Sequence, residues 1–135
     1  MRLNNIRGKS VFKNVNNKRV DWSIIGKSKF QKKIKDALRP LWQQFIVYEE
    51  FPVYGTRMTL DFFNATKMIA VEVQGNQHIE YTPYFHKNEM DFCYQLRKDD
   101  AKQTFCDMNG IKLIQIFQDD LKCKDLTEKL KELGA

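Results

Sequence analysis

Met68-Ile69-Ala70-Val71-Glu72-Val73-Gln74 is apolar until a carboxylate and an amide close it, and Gly75 stops it. A short apolar run of this kind reads as a strand, buried on both faces in the middle of a sheet. Working outward, Asn64-Ala65-Thr66-Lys67 is turn chemistry, and Met58-Thr59-Leu60-Asp61-Phe62-Phe63 is an earlier strand of the same hairpin. Before that, residues 46–53 form another short strand, closed by the turn Tyr54-Gly55-Thr56-Arg57.

On the other side, residues 76–88 are a polar, aromatic loop. Residues 89–108 read as a helix with Met90, Cys93, Tyr94, Arg97, Ala101, Phe105 and Met108 along one stripe. Asn109-Gly110 is a helix C-cap, residues 111–117 are a further strand, and residues 119–133 are a closing amphipathic helix through Leu121, Leu126, Leu130 and Leu133. Upstream, Ser28 is the N-cap of a first helix carrying Phe30, Ile34, Leu38, Leu41 and Phe45, which Pro40 bends or restarts. A strand–helix–strand unit over 68–117 implies a parallel pair with a right-handed crossover. The 46–74 meander supplies antiparallel neighbours. The expected fold is therefore α/β, a mixed β-sheet flanked by helices.

A chain of 135 residues, 42% hydrophobic and 30% charged, is one globular domain rather than a disordered polymer. No apolar run reaches the roughly 20 residues of a membrane span, and the opening residues form no apolar signal segment. Cys93, Cys106 and Cys123 are odd in number and lack CxxC spacing, which argues against a disulfide framework or zinc knuckle and for a reducing cytoplasm.

The net charge of +6 is unevenly placed. Residues 1–39 carry twelve Lys/Arg against only Asp21 and Asp36, whereas residues 40–135 carry eleven against fifteen Asp/Glu. This reads as a basic arm over 1–27, loosely anchored by Val11, Phe12 and Trp22, on an α/β domain over 28–135. Such a balance suits a polyanion, nucleic acid first. Lys9, Lys13, Lys18, Arg19, Lys27, Lys29, Lys32 and Lys33 are the side chains expected to bind phosphates.

The feature that carries chemistry is a pair of acids on adjacent strands. With the hairpin turning near 64–67, residues whose numbers add to about 133 face each other, which sets Asp61 opposite Glu72 within reach of one cation. Like charges held that close call for a counter-ion, and a divalent metal supplies it efficiently. Gln74 shares the face of Glu72 and can orient water or bond a phosphate oxygen. With the Val73 carbonyl, the group forms an oxygen-rich platform suited to magnesium.

Asp61, a ten-residue gap and then Glu72-Val73-Gln74 resemble the PD-(D/E)xK nuclease superfamily. Glu72-Val73-Gln74-Gly75-Asn76-Gln77-His78 resembles the E-x-D-G-x-x-H segment of its branch of very-short-patch-repair and phage homing endonucleases. Arg97-Lys98-Asp99-Asp100 before Asn109-Gly110-Ile111-Lys112-Leu113-Ile114 is similar to that branch's helix–glycine–strand ending. Ser28-Lys29-Phe30-Gln31-Lys32-Lys33-Ile34 resembles its first helix. The likeness covers residues 28–117. Two positions depart from it: Gln74 stands where the superfamily has lysine and the branch aspartate, and Gln31 stands for a first-helix glutamate. Both remove charge.

The resemblance implies a restriction-endonuclease-like fold and a metal-dependent endodeoxyribonuclease that hydrolyses phosphodiester bonds with Mg2+ or Mn2+. It would be a phage homing or repair and recombination enzyme, a monomer or homodimer, in a bacterial or phage-infected cell. Asp61 and Glu72, with the Val73 carbonyl, would hold metal. Gln74 would position water or phosphate, and His78 would assist proton transfer. Gln31, Glu49, Glu50, Asp99 and Lys102 would surround them. Read from the residues themselves, Tyr81, Tyr84 and Phe85 are candidates to stack on bases or wedge into DNA, with packing the expected role of at least one. Two other readings compete. A catalytically inactive nucleic-acid-binding module binds DNA without cutting it, and a structural protein whose basic arm docks an acidic partner has no DNA affinity.

Overall fold

The computed structural model describes residues 1–24, 29–74, 101–117, 120 and 125–135. Its elements are β1 (Arg2–Asn4), β2 (Ser10–Phe12), α1 (Lys29–Trp42), β3 (Val47–Pro52), β4 (Thr59–Asn64), β5 (Ile69–Gln74), α2 (described over 101–108), β6 (Lys112–Phe117) and α3 (Leu126–Glu132). A 3-10 turn covers Asn16–Lys18. Strands β3-β4-β5-β6 form one sheet in that order, antiparallel up to β5 and parallel between β5 and β6. The molecule is thus a mixed α/β sheet with helices on both faces, as the strand–helix–strand pattern required.

The two faces are defined by what they bury. Val47, Phe62, Val71, Ile114 and Ile116 pack with Ile34, Leu38 and Trp42 of α1 and Leu130 of α3. Thr127 Oγ1 donates to the Ala37 carbonyl at 2.9 Å and ties those helices together. Tyr48, Phe63 and Ala70 pack on the other face with Leu3, Val15, Tyr54 and, from α2, Phe105 and Cys106. Each fully buried large apolar side chain here stabilises the fold by about 1.5–3 kcal/mol.

Alternation breaks at one place. Tyr48 and Phe51 in β3, and Leu60 and Phe63 in β4, belong to the same apolar cluster although three residues apart. Both strands therefore change phase between those positions. The residues there include Glu50, whose φ is +53°, and Asp61, at the rung the β3–β4 ladder skips between Glu49–Phe62 and Phe51–Leu60. The irregularity lies at the acids and not in the apolar core, where period-2 packing holds.

Several sequence expectations are corrected. The segment expected as an arm is folded over residues 1–20. Strands β1 and β2 pair as a ribbon, the Val20 N–H donates to Val47 O at 3.0 Å, and the Tyr54 hydroxyl donates to Met1 O at 2.7 Å. Leu3 and Val15 are its buried anchors, while Phe12 is 61% exposed. In the ribbon Leu3 faces Val11 and Arg2 faces Phe12, so the pleat turns Phe12 outward with Arg2. Val11 and Trp22 are half-buried against the core, as expected. Helix α1 runs through Pro40 and stops at Trp42, because a proline in the last turn removes only one N–H. Phe45 lies beyond the helix, its N–H on Trp42 O at 3.0 Å. The last helix starts at Leu126, where Asp125 caps it by accepting from the Glu128 N–H at 3.0 Å. Asp120, expected in that helix, instead accepts from the Phe117 N–H at 3.0 Å. Ser28 and Leu121 lie outside the described residues.

Candidate functional site

The β4–β5 pairing follows the expected register: Phe62 faces Val71, Phe63 faces Ala70 and Asn64 faces Ile69. The next rung would be Asp61 with Glu72, and there the backbone ladder gives way to side chains. The Asp61 N–H donates to Glu72 Oε1 at 3.0 Å, and the Val73 N–H donates to Asp61 Oδ2 at 2.8 Å. Each carboxylate thus satisfies a backbone donor of the other's strand. The remaining oxygens are met from the two faces: Gln31 Nε2 of α1 donates to Asp61 Oδ1 at 3.0 Å, and Lys102 Nζ of α2 lies 2.8 Å from Glu72 Oε2.

Sequence spacing explains this delivery. Gln31 lies one turn before Lys35 and two before Leu38, on the inward stripe of α1. In α2 the stripe expected through Ala101, Phe105 and Met108 is rotated by one residue. Phe105 is buried as expected, but Met108 is 42% exposed and Cys106 is buried instead. That rotation carries Lys102 inward, one turn before Cys106, and brings its ammonium to Glu72. The cap after α2 forms as expected, with Gly110 at φ +66° and the Ile111 N–H on Cys106 O at 2.8 Å.

The electrostatics are those of a buried acid pair with too little positive charge. Glu72 is 2% exposed, and burial, then the neighbouring Asp61 charge, pushes its carboxyl up to about 7 against an ordinary 4.5, with Lys102 opposing. Burial also raises Asp61, against its bonds from Val73 and Gln31 and the pull of Lys102, and Glu50 adds a small upward push. Burial, with Glu72 next, pushes the Cys106 thiol up to about 12, which marks it as an inert core thiol.

Among the sequence-named neighbours, Gln31 and Lys102 touch the pair directly, and Glu50 acts on Asp61 through its charge. Glu49 does not join them. It pairs with Lys35 Nζ at 3.0 Å, and that buried ammonium also donates to Ile24 O at 2.7 Å. The reason is the pleat: Glu49 precedes the phase change and faces α1. Lys35 went unnoticed in the sequence, though its place one turn after Gln31 on the same stripe was the available signal. His78, Asp99, Tyr81, Tyr84, Phe85 and Lys27 lie outside the described residues. Gln74 ends β5, and its side chain is also outside them. Of the named cations, Lys9, Lys13, Arg19, Lys29, Lys32 and Lys33 are exposed and Lys18 is half-buried. Lys9 and Lys13 lie in or beside the ribbon, Lys18 and Arg19 at the 3-10 turn, and Lys29, Lys32 and Lys33 on α1.

Among the described residues no three His, Cys, Asp or Glu side chains gather as a metal cluster. Two carboxylates do meet, and Glu72 is short of compensating charge. In an extended strand a residue's N–H and C=O point the same way, so the Val73 carbonyl faces the β4 side, like the N–H that bonds Asp61. Two carboxylates and a carbonyl are hard oxygen donors of the kind magnesium accepts alongside water. By donor type the set suits such an ion, while each carboxylate oxygen is bonded within the protein, Glu72 Oε2 to an ammonium.

No family model and no solved structure matches the chain. It is 33% identical over 87 residues to uncharacterized protein 033L of Invertebrate iridescent virus 3, covering 62% of this chain and 44% of that protein. It is 33% identical over 81 residues to uncharacterized protein 307L of Invertebrate iridescent virus 6, covering 57% and 40%. It is 38% identical over 66 residues to uncharacterized protein 094L of Frog virus 3 (isolate Goorha), covering 48% and 43%. The chain spans less than half the length of these relatives. Among the described residues no helix is long and apolar enough to cross a membrane.

Proposed function

We propose that the chain is a divalent-metal-dependent endonuclease hydrolysing phosphodiester bonds in DNA, on a restriction-endonuclease-like fold of the PD-(D/E)xK kind. The observation that carries this is the opened rung between β4 and β5, where Glu72 is held by the Asp61 N–H, Asp61 by the Val73 N–H, and the pair is reached by Gln31 and Lys102. Asp61, Glu72 and the Val73 carbonyl would hold magnesium or manganese, which when bound supplies an acidified water and charge stabilisation at the phosphate.

The chain's own groups do the rest. Gln31 holds the Asp61 carboxylate in place, as the first-helix glutamate it replaces would not do without adding charge. Lys102 brings from α2 the ammonium that position 74 lacks. Its half-buried head lies against Glu72 and draws a phosphate oxygen to the pair. Gln74 and His78 keep the positioning and proton-transfer roles expected from the sequence. The relatives are viral proteins, so a virus-infected cell is the setting proposed.

A catalytically inactive DNA-binding module is the second reading. It is favoured by one observation: every oxygen of the two carboxylates already has a protein partner, with an ammonium on Glu72 Oε2. A panel of supercoiled, linear, branched and mismatched DNA with Mg2+ or Mn2+ separates the two. Metal-dependent nicking that EDTA abolishes supports the enzyme. Retarded but uncut DNA on every substrate supports the inactive module.

A further inference from the structure

We infer that the β1–β2 ribbon is a rigid DNA-reading element that stacks Phe12 on a base and sets Arg2, Arg7, Lys9 and Lys13 on flanking phosphates. This role rests on the chain acting on DNA. Phe12 is 61% exposed, faces Arg2 across the ribbon, and lies within a segment without acids: residues 1–20 hold six Lys/Arg and no Asp or Glu. An exposed aromatic ring in a segment whose only charges are positive offers a flat apolar face and positive charge together. A polyanion carrying flat apolar faces matches both features.

The ribbon is built stiff. Asn5 Oδ1 accepts from the Arg7 and Lys9 N–H groups at 2.9 and 3.0 Å, and the Asn5 N–H donates to Lys9 O at 2.8 Å, which closes the turn that presents Arg7 and Lys9. The Ile6 N–H donates to Tyr54 O at 3.2 Å. Asn109, just after α2, accepts from the Asn4 N–H at 2.8 Å and donates to Asn4 O at 2.9 Å. A surface ordered beforehand loses little conformational freedom on binding.

Its distance from the chemistry also suits the role. Lys102 at Glu72 and Asn109 at Asn4 are seven residues apart on one helical segment, about 10 Å along its axis. That is about three base-pair steps of duplex. The ribbon would therefore meet the DNA within a few base pairs of the scissile phosphate.

The test is binding of the full-length protein, without divalent metal, to a fluorescein-labelled duplex across a salt series, with 2-aminopurine placed at successive positions. Phe12→Ala should weaken binding about tenfold or more at unchanged salt slope, and Phe12→Trp should restore it. Lys9→Ala with Lys13→Ala should reduce the salt slope by about 0.9 for each phosphate that is no longer neutralised. One 2-aminopurine position should change emission with wild type and not with Phe12→Ala. Equal binding by Phe12→Ala would overturn the proposal, as would a Phe12-dependent homodimer in sedimentation whose loss accounts for any affinity change. Metal-dependent nicking with Phe12-independent binding sinks the ribbon alone. Phe12-dependent binding without nicking sinks the nuclease alone.

Discussion

Asp61 and Glu72 each bind a backbone N–H of the other's strand across the β4–β5 hairpin: the Asp61 N–H donates to Glu72 Oε1, and Asp61 Oδ2 accepts from Val73, the residue after Glu72. The reciprocity fixes both carboxylates at the point where the ladder opens. Asp61→Ala and Glu72→Ala should each abolish DNA nicking, a loss of several orders of magnitude, while DNA binding in EDTA stays within about threefold. Nicking by either variant at wild-type rate would remove both residues from the reaction.

Lys102 contributes charge rather than bulk, since its ammonium lies 2.8 Å from Glu72 Oε2. Lys102→Met should lower kcat by about 10²–10³, the scale on which a single oriented donor acts, and Lys102→Arg should recover part of it. An unchanged kcat in Lys102→Met would show that Lys102 only neutralises Glu72.

The metal-free protein should lose stability as the solution becomes alkaline. Glu72 titrates at about 7 in the fold against an ordinary 4.5, so the folded chain binds this proton more tightly than the unfolded chain. Stability is then full below about 4.5 and declines up to about 7, by about 3 kcal/mol for Glu72, and Asp61 shifts in the same direction. Urea midpoints in EDTA should be higher at pH 5 than at pH 8, and Glu72→Gln should remove most of that difference. A profile in which wild type gains stability toward pH 8 contradicts the buried acid pair.

The ribbon's seat is tested by stability alone. Gly55 has φ +88°, and a Cβ there would come within 3.3 Å of Asn5 Cβ and Ile6 Cγ1. Gly55→Ala should destabilise by about 1–3 kcal/mol, through backbone strain and the displaced turn. Asn109→Ala, which removes the two bonds to Asn4, should destabilise by about 1–3 kcal/mol. Wild-type urea midpoints for both variants would mean the ribbon is not docked there.

Much of this was legible in the chain. Apolar runs bounded by turn residues placed β3 to β6 within about a residue, and the hairpin turn set the register that brings residue 61 opposite 72. The same logic could not reveal that the rung opens. That follows from the phase change at Glu50 and Asp61, and no period-2 pattern records a left-handed residue between two regular stretches. Lys102 was named only as a neighbour, because a stripe drawn through Ala101, Phe105 and Met108 turned it outward. A one-residue rotation of a helix alters few apolar matches yet moves a side chain by about 100°. The N-terminal segment was misjudged for a related reason. Three-residue strands give alternation no length to show itself, and Leu3 and Val15 gain their burial from Tyr54 and Phe105, far away in sequence.

The most direct measurement is calorimetric titration of Mn2+ into the protein bound to a non-cleavable phosphorothioate duplex. Wild type should take up at least one ion per chain, and Asp61→Ala and Glu72→Ala should take up none at the same concentrations. Equal uptake by all three proteins, or none by wild type, would contradict a cation held between Asp61 and Glu72.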